Sequence, residues 1–256
     1  MTQNFLITGT RSGFGKYVHE EFGGFGLTRE TKEEEIKNFR EQGVDTIVHC
    51  AFNTHNSVSS LNLPAYIDDN VFLTKKLIEI PHNKFIFISS IEVYPCNEKI
   101  HSEVEELNVN QIDTIYGTTK LISEGMVMEK SCSPLIFRCS GLLGKYLGKN
   151  NLIKLIEDEK PILSLSGDSE LNCVHYKDII NFIEFGIENK LKGIYNLVSS
   201  ENILFSDVAQ MIGKDVKFGD YLYNVGKINN NKVTEVFPEF KKTSKEVIKQ
   251  FLNKNE

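Results

Sequence analysis

The chain has 256 residues and a formal net charge of −6, and its positive residues are scattered, which argues against nucleic acid as the main partner. This length suffices for one large α/β domain or for a main domain with a small lobe. Hydrophobic residues make up 40% and charged residues 25%, which is typical of a globular protein. No apolar run approaches the ~20 residues of a membrane-spanning helix, so we expect no membrane partner.

The cysteines argue for a reducing compartment. There are five, an odd count, and they form no Cys-x-x-Cys pair and no metal-ligand spacing. Free thiols without a disulfide framework are typical of intracellular proteins. The sequence opens on an apolar strand. It is not preceded by a basic region and a long apolar region, the pattern that is typical of a secretory signal peptide. We therefore expect a cytoplasmic protein without a metal site.

Strands and helices are predicted to alternate over the first 140 residues. Apolar and β-branched segments predict strands at residues 4–8, 25–29, 44–51, 84–90 and 134–139. Helices are predicted from the first glycine-rich loop to Glu21 and at residues 31–42, 65–80 and 115–130. This alternation indicates a doubly wound parallel sheet with helices on both faces.

From about residue 144 the pattern becomes mixed. Helices are predicted at 151–158, 178–188, 206–212 and 241–256, with strands at 172–175 and 193–198. We expect one domain over residues 1–256, in which about 144–256 contribute a small C-terminal α/β substrate-binding lobe. Ligands of open α/β sheets bind at the carboxyl edge of the sheet, where we place this lobe.

A glycine-rich loop, T-G-T-R-S-G-F-G at residues 8–15, follows the first strand and opens the first helix. Glycines there permit a tight turn and close approach of the backbone, and the helix N-terminus presents N–H groups to a pyrophosphate. The fold class expected is therefore α/β, Rossmann-like, with a bound dinucleotide. The loop residues that we expect to bind it are Gly9, Thr10, Arg11, Ser12, Gly13, Phe14 and Gly15.

Arg29, at the predicted end of the second strand, bears on the choice of cofactor. Folds that prefer NAD often carry an acidic residue there for the ribose 2′-hydroxyl, whereas arginine accommodates the 2′-phosphate of NADP. Arg11 adds a second positive charge, although Glu30 follows Arg29 directly. We expect NADP as cofactor, with NAD as the alternative.

Tyr116 and Lys120 have Y-x-x-x-K spacing within a predicted helix, which places them on one face, one turn apart. An ammonium close to a phenol favours the ionised phenol and lowers its pKa, so the pair is suited to proton transfer. Upstream, S-S-I-E-V-Y-P at residues 89–95 follows a predicted buried strand, at the edge where ligands bind.

The glycine loop, the strand-terminal serine pair and Y-x-x-x-K, in this order, resemble the short-chain dehydrogenase/reductase superfamily. S-S-x-x-V-Y-P resembles its extended branch, the NAD-dependent epimerase/dehydratase family, whose members modify nucleotide sugars. Segments D-N-V at 69–71, N-C-V-H-Y-K-D at 172–178 and G-I-Y-N-L at 193–197 continue the resemblance over nearly the whole chain.

The resemblance implies roles for individual residues. Ser90 would hydrogen-bond the substrate oxygen, Tyr116 would be the catalytic acid/base, and Lys120 would bind the nicotinamide ribose and assist Tyr116. The further cofactor-binding residues implied are Cys50, Ala51, Phe52, Asn70 and Ser89. The resemblance also implies a nucleotide-sugar substrate and a homodimer.

Glu92 lies two residues after Ser90, a position that holds an additional acid/base in related sugar-nucleotide enzymes. Dehydratases carry glutamate there but also aspartate before it, where this chain has Ile91.

The chain departs from the extended branch at other positions. The glycines of the first loop follow the G-x-x-x-G-x-G spacing of the shorter branch. Gly141 replaces an asparagine that contacts the substrate diphosphate in epimerases. Residues 29–44 hold one helix and no strand, so the sheet is predicted to be one strand short.

Three hypotheses follow. The first is a reductase that transfers hydride to a keto group of a nucleotide-linked sugar, with Tyr116 as proton donor. The second is an epimerase or dehydratase that retains NAD and uses Glu92 as a catalytic residue. The third is a non-catalytic NADP-binding sensor of the same fold, although such proteins commonly lose the tyrosine or lysine that this chain keeps.

We interpret His49 and His175 as structural residues.

Overall fold

The structure is a computed structural model that describes residues 4–54 and 58–253. The strands in this part of the chain are β1 (Phe5–Thr8), β2 (Phe25–Leu27), β3 (Val44–His49), β4 (His82–Ser90), β5 (Ile100–His101), β6 (Pro134–Cys139), β7 (Gly141–Leu143), β8 (Glu170–Leu171), β9 (Cys173–His175), β10 (Gly193–Leu197), β11 (Ile203–Leu204) and β12 (Lys227–Ile228). The α-helices are α1 (Gly13–Phe22), α2 (Glu33–Gln42), α3 (Leu63–Ile67), α4 (Leu73–Ile78), α5 (Ile115–Lys130), α6 (Asn151–Glu157), α7 (Tyr176–Glu188), α8 (Phe205–Met211), α9 (Asn231–Val236) and α10 (Ser244–Asn253).

Six of the described strands form the central sheet, in the order β10-β6-β4-β3-β1-β2. Every neighbouring pair in it is parallel. This arrangement confirms the predicted α/β class and the Rossmann-like doubly wound sheet. β2 is an edge strand, and only helix α2 lies between β2 and β3, so the sheet ends one strand early, as predicted.

Side chains of the central strands alternate between two apolar layers. Ile7, Ile86 and Phe137 point to the layer that contains helices α1 and α7, and their neighbours Leu6 and Phe85 point to the opposite layer. That second layer holds side chains from α2, α4 and α5. Successive residues of a strand face opposite sides of a sheet, so near-continuous apolar strands require helices on both faces.

The predicted helix at residues 65–80 is interrupted. α3 and α4 are separated by a π-helical turn, Asp68–Phe72, which includes the fully buried Asn70. The Asn70 side chain accepts a hydrogen bond from the Asn53 backbone N–H (2.6 Å) and donates to the Asn53 carbonyl (3.1 Å). The amide thereby ties this helical segment to the loop that follows β3.

Residues after 144 divide between the sheet and a separate apolar cluster. β10 joins the edge of the central sheet beside β6, and α7 packs on α1. α6, α8 and α10 supply most of the second cluster, which includes Leu155, Val208 and Ile248. The predicted C-terminal helix is α10, and its last three predicted residues lie outside the described part. That the second cluster is a substrate-binding lobe remains a proposal.

None of the helices in residues 4–54 and 58–253 combines the length and the apolar character that crossing a membrane requires.

Candidate active site

A cavity of about 660 Å³ opens at the carboxyl edge of the sheet. The glycine loop forms one wall. The carboxyl ends of β2, β3, β4 and β6 with adjoining loop residues, the π-helical turn, α4 and α5 form the others. The predicted site residues that line it are Gly9, Thr10, Arg11, Ser12, Phe14, Gly15, Arg29, Cys50, Ala51, Phe52, Ser89, Ser90, Tyr116 and Lys120. Gly13, Asn70 and Glu92 lie outside this lining. The structure thus brings most of the predicted residues together, while their roles remain predictions.

The glycine loop is packed so tightly that side chains are excluded at two positions. Gly9 has a φ of +77°, and a Cβ there would lie 3.0 Å from the Ala51 backbone nitrogen. A Cβ at Gly15 would overlap the Gly9 carbonyl. The absence of side chains lets the β1–α1 turn close against the end of β3, and it leaves the N-terminus of α1 facing the cavity.

Two ion pairs lie at the end of the cavity near β2. The Arg29 guanidinium is 2.7 Å from the Asp69 carboxylate, and its side chain is 76% exposed. Arg11 pairs with Glu30, and both of these side chains are also exposed. Ion pairs in water contribute about 0–1 kcal/mol, so either arginine can exchange its carboxylate for a ligand phosphate at little cost.

Ser90 and Tyr116 meet at the opposite end of the cavity. The Ser90 hydroxyl lies close enough to the Tyr116 phenol to affect its ionisation, and it accepts a hydrogen bond from the Glu92 backbone N–H at 3.2 Å. Thr114 caps α5 by accepting from the Gly117 N–H at 2.9 Å. A Cβ at Gly117 would overlap the Glu92 carbonyl, so the glycine after Tyr116 lets α5 approach the turn that follows Ser90.

Burial raises the pKa of the Tyr116 phenol above its ordinary value. The negative charge of Glu92 acts in the same direction, whereas the Ser90 hydroxyl lowers the pKa. The shift is therefore opposite to the lowering predicted from Lys120, and burial is its largest cause. The phenol is protonated at neutral pH, which is the form that a proton donor requires.

Lys120 is buried, and a backbone carbonyl holds its ammonium. Its Nζ donates to the Ile88 carbonyl at 2.5 Å, lies 3.7 Å from the centroid of the Phe52 ring and 5.7 Å from that of Tyr116. Burial lowers the pKa of Lys120 to about 7, although the negative charge of Glu124 opposes the shift. The residue therefore titrates near neutral pH.

This titration predicts a pH dependence of stability. The pKa of Lys120 is about 7 in the folded protein against 10.5 ordinarily, so between these values the unfolded chain binds a proton that the folded chain lacks. Lys120 should thus add to the free energy of unfolding, measured by urea titration, as pH rises from 7 to 9, by at most about 1.4 kcal/mol per pH unit. Lys120→Met should flatten this slope, and Lys130→Met, at the exposed end of the same helix, should not. Equal slopes for wild type and Lys120→Met would contradict the burial of the ammonium.

Glu92 lies beside the phenol but not in the cavity wall. Its carboxylate accepts a hydrogen bond from the Thr114 hydroxyl at 3.0 Å. Burial raises the pKa of Glu92, and the Thr114 hydrogen bond lowers it. The same carboxylate contributes to the raised pKa of Tyr116. Glu92 is thus close enough to act electrostatically on the candidate acid/base residue.

A buried ion pair behind the site was not predicted. Glu124 and Arg138 are each 3% exposed at the side chain and lie 2.7 Å apart. Glu124 also accepts from the Ser89 hydroxyl at 2.5 Å, and Arg138 donates to the Tyr94 hydroxyl at 2.8 Å. Two signals could have identified the pair: Glu124 lies one helical turn after Lys120, and Arg138 is a charge within a predicted buried strand, where a partner is required.

The two histidines singled out in the sequence have structural contacts. His49 is fully buried between the hydroxyls of Thr8 (2.8 Å) and Thr74 (3.0 Å), and burial lowers its pKa to about 3, so the ring is neutral. His175 accepts a hydrogen bond from the Lys177 backbone N–H at 3.1 Å and caps α7.

Comparison with known proteins gives a family match and distant relatives. The model of the NAD dependent epimerase/dehydratase family matches residues 6–197. A dTDP-D-glucose 4,6-dehydratase of Dictyostelium discoideum is 23% identical over 197 residues, which are 68% of this chain and 45% of the dehydratase. The match thus covers less than half the length of this curated relative.

Several solved structures share the fold. The dTDP-4-dehydrorhamnose reductase of Yersinia enterocolitica is 19% identical, with a TM-score of 0.81 over 98% of this chain and 99% of that one. The dTDP-4-dehydrorhamnose reductase of Bacillus anthracis, solved in complex with NADP, is 18% identical, with a TM-score of 0.81 over all of both chains. The dTDP-glucose 4,6-dehydratase of Bacillus anthracis, solved with NAD, is 18% identical, with a TM-score of 0.73 over 99% of this chain and 97% of that one.

Proposed function

The chain belongs to the NAD dependent epimerase/dehydratase family, and we propose that it is an NAD(P)-dependent oxidoreductase that reduces a keto group of a nucleotide-linked sugar. One observation carries the proposal. Ser90, Tyr116 and Lys120 line one end of a cavity whose other end is the glycine loop at the N-terminus of α1. Two dTDP-4-dehydrorhamnose reductases that match almost the whole chain, one of them bound to NADP, support this choice of reaction.

The residues present fit a dinucleotide. Gly9 and Gly15 leave a cradle that any Cβ would obstruct, and the first turn of α1 faces the cavity. The N–H groups there favour an anionic pyrophosphate. Arg11 and Arg29 lie where a 2′-phosphate would find two guanidinium groups. We therefore propose NADP as the cofactor and NAD as the alternative.

The chain's own residues would hold the carbonyl and deliver the proton. A bound nicotinamide supplies the hydride when it is reduced. The hydroxyls of Ser90 and Tyr116, which line the same end of the cavity, would both bind the carbonyl oxygen of the substrate. Tyr116, protonated at neutral pH, would donate its phenolic proton to that oxygen as negative charge develops there. Lys120, buried below the phenol, would then be available to a ribose hydroxyl.

An epimerase or dehydratase that retains NAD is the second candidate. The position of Glu92 beside Tyr116 favours it, because a carboxylate there could remove a proton adjacent to a keto group. Ile91 in place of the dehydratase aspartate, and the position of Glu92 outside the cavity wall, weigh against it. A non-catalytic sensor is the third candidate, and the joint placement of Tyr116 and Lys120 weighs against that.

One experiment separates the three. The purified protein is first assayed for bound nucleotide, then for a thermal shift with NADPH, NADH and dTDP- or UDP-linked sugars. Finally, NADPH oxidation is followed with a dTDP-linked 4-keto sugar. Oxidation that depends on the sugar supports the reductase. Retained NAD with sugar conversion but no net NADPH oxidation would replace it by the second candidate. Cofactor binding without any sugar conversion would favour the sensor.

Arg29 should decide the preference for NADPH over NADH. Arg29→Ala is expected to weaken NADPH binding about 10–100-fold, the effect of losing a hydrogen-bonded charge, and to leave NADH binding unchanged. Asp69→Asn is the matched variant, since it removes the carboxylate that competes for the same guanidinium, and it should strengthen NADPH binding by up to about fivefold. Dissociation constants from titration calorimetry test both. Equal losses for NADPH and NADH in Arg29→Ala would refute the assignment.

We also propose a cytoplasmic homodimer. All five cysteines lie in the described part of the chain and are free thiols, as a reducing compartment permits. Phe72, Ile122 and Met128, on the adjoining segments around α4 and α5, are 42–48% exposed and could pack across a twofold axis. Sedimentation of the purified protein measures the oligomeric state, and a monomer at micromolar concentration would argue against the dimer.

A further inference from the structure

Residues 89–94, the serine turn, are held at both ends by the buried ion pair between Glu124 and Arg138. Ser89, at the start of the turn, donates a hydrogen bond from its hydroxyl to Glu124 at 2.5 Å. Tyr94, at the end of the turn, accepts on its hydroxyl a hydrogen bond from Arg138 at 2.8 Å. The two partners of the ion pair thus bind the two ends of the same turn.

Strand register brings the ion pair to the start of the turn. Ser89 on β4 lies opposite Arg138 on β6. Residues opposite each other in neighbouring strands share a face of the sheet, and Glu124 reaches both of them from α5. The Arg138 guanidinium donates to both carboxylate oxygens of Glu124 at 2.7–3.1 Å. A guanidinium–carboxylate contact of this kind fixes orientation as well as distance.

The helix that supplies Glu124 also carries Tyr116. Both residues belong to α5, and Tyr116 lies about two helical turns before Glu124. A continuous helix holds these two positions at a fixed separation. Binding of the serine turn to the ion pair therefore fixes Ser90 relative to Tyr116, which lines the same end of the cavity.

Stability alone does not account for a charged pair at this position. A buried ion pair is often no more stabilising than apolar side chains of the same volume, whereas its hydrogen bonds are directional. Each partner therefore accepts one placement of the hydroxyl that it binds. Tyr94 is restrained further, because its hydroxyl donates to the Asn196 side chain on β10 at 2.8 Å. The serine turn is thus tied to α5, β6 and β10 at once.

On the basis of the proposed function, we propose that Glu124 and Arg138 are positioning residues, which hold the Ser90 hydroxyl where it and the Tyr116 phenol can bind one carbonyl oxygen. Neither Glu124 nor Arg138 lines the cavity, so both act through the serine turn. Reacting groups tolerate little displacement, and a misplacement of about 1 Å can lower the rate by about 100-fold. The ion pair therefore affects the rate of reduction without contacting the substrate.

The double variant Glu124→Leu with Arg138→Met separates positioning from stability. Apolar side chains in place of the pair should leave a folded protein, as buried ion pairs generally allow. Without the pair, kcat for reduction of the sugar is expected to fall about 10–100-fold, while KM and the NADPH dissociation constant change little. A purely structural role predicts instead that the folded variant keeps the wild-type kcat. Steady-state kinetics and titration calorimetry measure these constants, and urea titration verifies folding.

Two further variants each remove one link and leave the ion pair in place. Ser89→Ala and Tyr94→Phe are each expected to lower kcat about 2–10-fold, the effect of one hydrogen bond. Added to the double variant, they should have little further effect, because the partner of each hydroxyl is already absent. Ser133→Ala is the matched control. Ser133 is a buried serine outside the cavity lining that accepts from Lys84 at 3.2 Å, so this variant should be less stable but keep the wild-type kcat.

Hydrogen exchange gives a readout that requires no reaction. The Glu92 backbone N–H donates to the Ser90 hydroxyl inside the turn, so its exchange rate reports how firmly the turn is held. In the double variant this N–H should exchange about 2–10-fold faster. The Phe85 N–H, which donates to the Ser133 carbonyl near the other end of β4, should keep its rate. Heteronuclear NMR of both proteins measures the two rates.

The outcomes distinguish this role from the function on which it rests. A wild-type kcat in a folded double variant would overturn the positioning role and leave the proposed reductase in place. If the wild type itself reduces no sugar, the proposed function fails, and exchange of the Glu92 N–H decides whether the pair holds the turn. A faster rate in the double variant then supports that role, and an unchanged rate overturns it. If the double variant does not fold, a wild-type kcat in both Ser89→Ala and Tyr94→Phe would overturn the role.

Discussion

Tyr116→Phe is expected to lower kcat for reduction of the sugar by about 10²–10⁴-fold, the usual contribution of a positioned proton donor. The variant keeps the aromatic ring, which packs edge-on against Phe52 with 5.6 Å between centroids, so the fold should be retained. Ser90 would still hydrogen-bond the carbonyl oxygen, but no acidic proton would lie beside it. NADPH affinity should change little, because the phenol acts on the substrate.

Single-turnover oxidation of NADPH, measured with saturating sugar, isolates this step from product release. Tyr146→Phe is the matched control, since its hydroxyl bonds Glu20 at 2.6 Å outside the cavity lining, and it should retain full activity. If Tyr116→Phe turned over as fast as Tyr146→Phe, another group would have to be the proton donor. A loss confined to KM would assign Tyr116 to substrate binding instead.

Glu124→Gln is expected to cost about 3–5 kcal/mol of stability, because it leaves the Arg138 guanidinium buried without a counter-charge. The double variant Glu124→Leu with Arg138→Met should recover most of this loss, since a buried ion pair is often replaced by apolar side chains at little cost. Free energies of unfolding from urea titration compare the single and double variants.

An exposed pair supplies the control for this measurement. Glu33 lies 3.5 Å from Arg40, and its side chain is 75% exposed, so Glu33→Gln should change stability by less than about 1 kcal/mol. Equal effects of Glu33→Gln and Glu124→Gln would show that the buried pair is not responsible. A double variant less stable than Glu124→Gln would show that Arg138 acts mainly through its hydrogen bond to Tyr94.

Most of the fold followed from local patterns in the sequence. α5 and β6 have the predicted boundaries, because each is an uninterrupted run with the matching periodicity and a polar or proline residue at its start. The glycine loop could be placed because glycines at a strand–helix junction have few other uses. Residues 65–80 were predicted as one helix, since a π-helical turn leaves no mark in the periodicity of so short a segment.

The sequence by itself determined which side chains reach the carboxyl edge of the sheet. The carboxyl ends of parallel strands all lie at that edge, whatever packs around the strands. Only the tertiary structure decided the charge state and partners of those side chains. The pKa values of Tyr116 and Lys120 depend on burial by segments distant in the chain. At Lys120 burial outweighs the neighbouring negative charge, and at Tyr116 burial and the charge of Glu92 act in the same direction. The pairing of Glu124 with Arg138 likewise arises where α5 and β6 meet, since helix and strand periodicity specify a face but not what lies opposite it.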